Sequence, residues 1–425
     1  MTTNFAAEVF QNPYLPQGTN EVHAIMTVTA QEGLVAAMPT SQQRVFGIIC
    51  DTSGSMQGDK IQAAKNAMRK LVELLPEDSY FFVVTGSGSS RLTCPVTQAT
   101  AANKQTAYDA IRGIAATGGT VISKWLHEAL VQFRQYPNAI RQALLLTDGQ
   151  NDPSDEDEIV TVLKNCTGQF QCHCRGVGTD WRVAQMQQVA DALLGNTDII
   201  PDPSMLEADF QDILAVAMSK AVQDVRLRLW TPQGATARYC KQVSPEIVDV
   251  TAKGQISKPQ TIDYPTGAWA KDESRDYHFC IQVNPGNIGD EMLAGRASLI
   301  SIADGQETKI AEAKILAIWT DDEARSAKID RRVAHYTGQA ELATSIQEGM
   351  EAREKGNWEM ATAKLGRAVQ LAHESGNEST AKLLRKVVEV DDAATGTVRI
   401  RKSVDKADEM MLETRSTKTA RIPRV

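Results

Sequence analysis

A doubly wound α/β domain with a mostly parallel sheet, joined to an antiparallel β-sandwich and a C-terminal helical region, is the architecture the sequence predicts. Three observations predict it. Between about residues 44 and 222, short apolar runs alternate with amphipathic stretches, the rhythm of strands and crossover helices. From about 223 to 320, runs of strict alternation are separated by Gly, Pro and Asn clusters, as in half-exposed antiparallel strands. From 321 onward the apolar period returns to that of helices.

The first strand of the α/β domain runs through Val45, Phe46, Ile48, Ile49 and Cys50, apolar on both faces as a central parallel strand must be. A helix follows from about Lys60, where Ile61, Ala64, Met68, Leu71 and Leu75 recur at three- and four-residue spacing and define one buried stripe. Pro76, Glu77 and Asp78 end it. Further strands are expected at 80–84, 142–146 and 171–177. Helices fit between or after them at about 104–115, 122–134, 155–164, 182–194 and 207–221.

In the β-region, Val225, Leu227 and Leu229 share one face and Arg226 and Arg228 the other. Similar runs lie at 277–283, 297–302 and 309–319. Val22, Ala24, Met26 and Val28 alternate in the same way, so the N-terminal segment, 1–43, is expected to lend a strand to the sandwich, with the α/β domain (44–222) inserted within it. In the helical region, 321–392, Gly356-Asn357 and Gly376-Asn377 are breaks. Trp358, Ala361, Leu365 and Ala368 follow the first break at spacings that resemble a tetratricopeptide-like hairpin. Residues 393–425 are expected to be a flexible basic tail, since Thr414 onward carries four basic and no acidic side chains.

With 425 residues the chain needs two or three cores, and 42% hydrophobic residues are enough to build them. A net charge of −8 gives the whole molecule no electrostatic reason to seek nucleic acid or an anionic membrane. The first residues, Met1 to Glu8, lack the basic and apolar regions of a secretory signal. No apolar run approaches the ~18 residues of a membrane span. A cytoplasmic location is expected, with the seven cysteines as reduced thiols.

The most informative stretch is Asp51-Thr52-Ser53-Gly54-Ser55-Met56, directly after the first strand and before a helix. In a parallel sheet, ligands bind outside the carboxyl ends of the strands, and here the sequence places one carboxylate and two hydroxyls. Asp148, in Leu-Leu-Leu-Thr-Asp-Gly, leaves another apolar strand at the same edge. Thr120, in Thr-Gly-Gly-Thr, sits on a Gly-rich loop able to approach closely.

These motifs, in this order and context, resemble the metal-ion-dependent adhesion site of von Willebrand factor A domains, as in integrin I domains and many bacterial proteins. The resemblance covers about 180 residues, with all five ligand positions filled. It implies Asp51, Ser53, Ser55, Thr120 and Asp148 as metal-site residues. Ser53, Ser55 and Thr120 would coordinate directly or nearly so, and Asp51 and Asp148 partly through water. Hydroxyl and carboxylate oxygens suit Mg²⁺, with Mn²⁺ or Ca²⁺ as alternatives. One position would stay open for the Asp or Glu of a protein partner. The implied role is a cation-dependent adaptor without catalytic activity. The alternative is a scaffold that binds through its C-terminal helices while the metal serves the fold. Intracellular members work with ATPase or kinase partners, so an AAA+ ATPase or a Ser/Thr kinase is an expected partner.

Weaker signals are read as structural. Cys172 and Cys174 face one side of a strand and His173 the other, without the second ligand pair of a zinc site. Asp152, Asp155, Glu156, Asp157 and Glu158 suit a helix N-terminus; the alternative is that they steer basic partners. The Gly-Ser run at 86–90 has no phosphate-loop ending and is expected to shape the rim. No nucleophile elbow surrounds Ser53 or Ser55. In the tail, Thr417 and Thr419 stand among basic residues as candidate phosphorylation sites, with Ile422 placed for recognition by a forkhead-associated domain.

Overall fold

The computed structural model describes residues 5–31, 43–222, 224–303 and 306–422. Parts of the expected N-terminal segment (1–4 and 32–42) and the end of the expected tail (423–425) lie outside the described residues. The chain divides into two compact units, one of Pro39–Gln223 and one that combines Met1–Met38 with Asp224–Val425.

The first unit is a six-stranded sheet. Its order is Ser90–Gln98, Tyr80–Gly86, Arg44–Asp51, Ile140–Thr147, Gln171–Val177 and Thr197–Ile200. Every neighbouring pair is parallel except Tyr80–Gly86 with Ser90–Gln98. The doubly wound, mostly parallel class is therefore observed, while the strands Ser90–Gln98 and Thr197–Ile200 were not anticipated. Ser90–Gln98 is largely half-exposed and interrupted by Pro95, which is compatible only with an edge.

Phe46, Ile48 and Cys50 pack on one face of the sheet with Ile61, Met68 and Leu71 of the helix Asp59–Leu74 and with Phe210 and Leu214 of Leu206–Ser219. In the other layer, the Phe82 ring meets Phe133 edge to face at 4.8 Å and Phe133 stacks on Phe170 at 4.6 Å. Gly47 is required there, because a Cβ would lie 2.4 Å from the Phe82 ring. Burying such side chains contributes roughly 1.5–3 kcal/mol each, which anchors the strands that carry the site.

The second unit holds two antiparallel sheets. One runs Phe5–Gln11, Glu21–Ala30, Ser274–Gln282, Thr236–Ser244 and Val248–Asp249. The other runs Gln255–Lys258, Thr261–Pro265, Asp224–Trp230, Glu291–Ala303, Gln306–Thr320 and Tyr14–Pro16, with its last pair parallel. The alternation of Val225, Leu227 and Leu229 is the buried face of the second sheet. Glu21–Ala30 pairs along its length with Ser274–Gln282, so chain from both sides of the α/β unit builds one sheet.

Helices Arg331–Glu354 and Trp358–Glu374 form an antiparallel hairpin, followed by Glu378–Val387. Both turns use glycine at positive φ, Gly356 at 71° and Gly376 at 65°, where a side chain would be strained. Asn357 and Asn377 then cap the next helices by accepting from the N–H groups of Met360 and Thr380.

The expectation of a flexible tail from 393 is corrected. Val388–Asp392 and Thr397–Ile400 make a β-hairpin, and Lys406–Arg415 is a helix. Val388, Val398 and Leu412 share a core with Leu342, Leu365 and Leu384, so a boundary at 392 would cut through this core. Beyond the helix, the Ile247 N–H donates to the Thr417 carbonyl at 2.8 Å and the Thr419 N–H to the Pro245 carbonyl at 3.0 Å. Arg421 donates to Ser274 and pairs with the fully buried Asp276 at 3.3 Å, and Tyr336 donates to the same carboxylate. Tail composition alone had concealed these partners, which lie more than a hundred residues earlier.

Candidate metal centre

Asp51 is the last residue of Arg44–Asp51, and Asp148 follows the parallel neighbour Ile140–Thr147, so both carboxylates emerge at one sheet edge. Three loops are stitched together around them. The Thr52 N–H donates to the Gly86 carbonyl at 2.6 Å, Gly54 N–H to Gly118 at 2.9 Å, and Thr117 N–H to Thr52 at 2.7 Å. The Asp152 N–H donates to the Thr120 carbonyl at 2.8 Å. These backbone bonds fix the loops before any side chain acts.

The five side chains named from sequence lie together. Asp51 accepts from the Ser53 N–H at 2.7 Å and from the Thr147 hydroxyl at 2.5 Å. The Ser53 and Ser55 hydroxyls are 3.0 Å apart, and Ser55 donates to Asp148 Oδ1 at 2.7 Å. Gly149 locates Thr120: a Cβ there would lie 3.2 Å from Thr120 Oγ1, 3.3 Å from Ser55 Oγ and 3.9 Å from Asp51 Oδ2. The missing side chain is what leaves these oxygens mutual access. An open pocket of about 570 Å³ is lined by Ser53, Ser55 and Thr120, with Asp152, Glu156 and Arg182 on its wall.

Both carboxylates are fully buried. Burial pushes the Asp51 carboxyl up to about 6, against hydrogen bonds from Thr147 and Ser53 that hold it down, with Asp148 adding to the rise. Among the described residues the cation in contact with them is Lys60, whose Nζ is 2.6 Å from Asp148 Oδ2 and 3.6 Å from Asp180. Two carboxylates against one ammonium leave a net negative charge at a ring of hard oxygen donors. That donor set fits a divalent cation of the Mg²⁺ type. If one is bound, Ser53, Ser55, Thr120, Asp51 and Asp148 would hold it.

Sequence reasoning missed Lys60 and Thr147. Lys60 sits in the first turn of its helix, where the dipole disfavours a cation, and that mismatch was the available signal. Cys172 and Cys174 are buried, and His173 Nδ1 is 2.9 Å from Asn196 Oδ1. Asp152 caps the turn Pro153–Asp155, while buried Asp155 accepts from the Ser123 N–H at 3.0 Å. Ser87 of the Gly-Ser run accepts from the Trp125 indole N–H at 2.9 Å and so shapes the rim. Thr419 donates its hydroxyl to the Val243 carbonyl at 2.8 Å, and Thr417 is half-buried beside it.

Comparison with known proteins places this geometry. The von Willebrand factor type A domain matches residues 46–199, and the von Willebrand factor type A C-terminal domain matches 370–416. The solved structure of von Willebrand factor type A from Catenulispora acidiphila is 44% identical, covers 99% of this chain and 98% of its own, and superposes with a TM-score of 0.93. The chain belongs to the von Willebrand factor type A family. Von Willebrand factor A domains generally mediate protein interactions and bind a divalent metal at their adhesion site. The ArnB paralog VWA2 from Sulfolobus acidocaldarius shares the fold at a TM-score of 0.61 and 15% identity, with 98% of each chain covered. Among curated proteins, the uncharacterized protein sll0103 of Synechocystis is 26% identical over 49% of this chain and 50% of its own length. Mouse inter alpha-trypsin inhibitor heavy chain 4 is 29% identical over 36% of this chain and 17% of its own. The matches thus span half or less of these curated relatives. The C-terminal domain match crosses the expected boundary at 392, in keeping with the folded core described above.

Proposed function

We propose that this von Willebrand factor A protein is a Mg²⁺-dependent adaptor that captures an Asp or Glu of a protein partner at its metal centre and has no catalytic activity of its own. The observation that carries this reading is the convergence of Ser53, Ser55, Thr120 and the Asp51–Asp148 pair at the floor of an open pocket. An ion held largely by neutral hydroxyls keeps residual positive charge, and an incoming carboxylate is attracted to it. Mn²⁺ or Ca²⁺ would support the same chemistry with altered affinity. A kinase, a forkhead-associated protein or an AAA+ ATPase in the cytoplasm is the partner class proposed from the family's intracellular members. No helix among the described residues is long and apolar enough to cross a membrane.

The test is capture from native lysate on the immobilised chain, with Mg²⁺ and with excess chelator, beside the variant Asp51→Asn. Partners retained only with Mg²⁺ and lost in the variant support the reading. Partners retained in chelator overturn it.

A second reading, docking through the C-terminal helices, is favoured by the exposure of Trp358 (54%) and Met360 (44%) in the first turn of one helix. Removing the helices would not test it, because Val333 and Tyr336 pack with Ile25 and Val243 of the sandwich. The double substitution Trp358→Ser and Met360→Ser does. Chelator-resistant capture that this variant abolishes would replace the metal-centred reading.

A further inference from the structure

The β-sandwich unit carries a second cluster of metal-ligating side chains, unrelated to the oxygen site. On a pleated sheet, alternate residues of one strand and their cross-strand partners share a face. Glu21 and His23 are two apart on Glu21–Ala30, and Cys280 is the register partner of His23 on Ser274–Gln282. One carboxylate oxygen of Glu21, one ring nitrogen of His23 and the Cys280 sulfur all lie within 4.8 Å of one another.

His23 is oriented from behind. Its Nδ1 is 3.2 Å from His278 Nε2 and 3.3 Å from the Tyr239 hydroxyl, which is also 3.3 Å from His278 Nε2. Its Nε2 has no hydrogen-bond partner among the described residues. A ring held through one nitrogen with the other free is the usual state of a ligating histidine.

We propose that Glu21, His23 and Cys280 form a Zn²⁺ site in the β-sandwich unit, with His278 and Tyr239 orienting His23. Thiolate, imidazole and carboxylate together select zinc over Mg²⁺ or Ca²⁺. Bond lengths of about 2.0–2.3 Å bring tetrahedral ligands to roughly 3.3–3.8 Å from one another. The required contraction is within reach of Glu21, whose side chain is 43% exposed. Three protein ligands leave the fourth position to water or to a group from outside.

Co²⁺ is the probe, because only thiolate ligation gives an intense sulfur-to-cobalt charge-transfer absorption, and the oxygen site is silent to it. The full chain, stripped with chelator and then held in excess Mg²⁺, is titrated with Co²⁺ and back-titrated with Zn²⁺. One equivalent of Co²⁺ should produce the band, one equivalent of Zn²⁺ should bleach it, and Cys280→Ser should abolish it. Asp51→Asn should leave it intact. Glu21→Gln, a change at a half-exposed position, should weaken Co²⁺ binding at least tenfold, and it serves if Cys280→Ser fails to fold. Absence of the band at saturating Co²⁺, its persistence in Cys280→Ser, or unchanged affinity in Glu21→Gln overturns the proposal.

Discussion

Lys60 Nζ lies 2.6 Å from Asp148 Oδ2, so the first turn of one helix delivers an ammonium into the ring of oxygens proposed to hold the metal. Its second carboxylate, Asp180 at 3.6 Å, is largely exposed and gives the lysine somewhere to go. An incoming dication must compete with this internal one. Lys60→Met is expected to raise Mg²⁺ affinity about three- to tenfold, the scale of one partly screened charge-assisted contact. Calorimetric titration checks it; weakened affinity would mean that the lysine instead holds Asp148 in its binding orientation.

Gly149→Ala tests the cradle itself. The added methyl would sit 3.2 Å from Thr120 Oγ1 and 3.3 Å from Ser55 Oγ, closer than ordinary packing, and would part the two hydroxyls. Mg²⁺ affinity should fall about tenfold while the melting temperature moves little, since the neighbours displaced are small side chains at an open pocket. Equal loss of stability and affinity would instead make Gly149 a folding residue.

At the C-terminus, Arg421→Ala should destabilise the sandwich unit by about 1 kcal/mol, since it removes a cation from fully buried Asp276 but one that is itself partly screened. Because the Thr419 hydroxyl is bonded to the Val243 carbonyl, a Ser/Thr kinase should modify Thr419 at least tenfold more slowly in the intact chain than in a peptide of residues 414–425. Quantitative mass spectrometry of both reactions decides it; equal rates would show a tail that leaves its seat freely.

The acid sensitivity of the α/β unit should run partly through His173. Burial, with Arg175 and Lys220 nearby, lowers its imidazole to about 4, against a hydrogen bond to Asn196. In the unfolded chain the ring takes up a proton near 6.5, which the folded chain refuses until about pH 4. Its contribution to stability is therefore complete above pH 6.5 and declines by about 1.4 kcal/mol per pH unit below it. Melts of the wild type and His173→Gln between pH 7.5 and 5 should converge toward acid; parallel curves would remove His173 from the account.

The fold class and the five oxygen-bearing residues were legible because each sits next to a strong local pattern. Asp51 ends an apolar strand and Asp148 comes just after the apolar run Ala143–Leu146, and the Gly-rich run before Thr120 announces a close approach. What was illegible depends on contacts distant in sequence. Ser90–Gln98 carries polar residues on an edge, Arg421 finds Asp276 145 residues away, and Lys60 points to a carboxylate 88 residues downstream. The order of the tail was missed for the same reason: composition describes a segment alone, and this segment is held by others.

The pairing of Glu21–Ala30 with Ser274–Gln282 has a consequence for biosynthesis. Thr29 meets Ser274 across 245 residues, which at ordinary elongation speeds is a wait of roughly 12–50 s on the ribosome. During that interval the inserted α/β unit can emerge and collapse on its own nearby contacts, while Glu21–Ala30 already has Phe5–Gln11 as a hairpin neighbour. Arg421 reaches Asp276 later still, so a late segment of the chain closes a sheet begun by an early one.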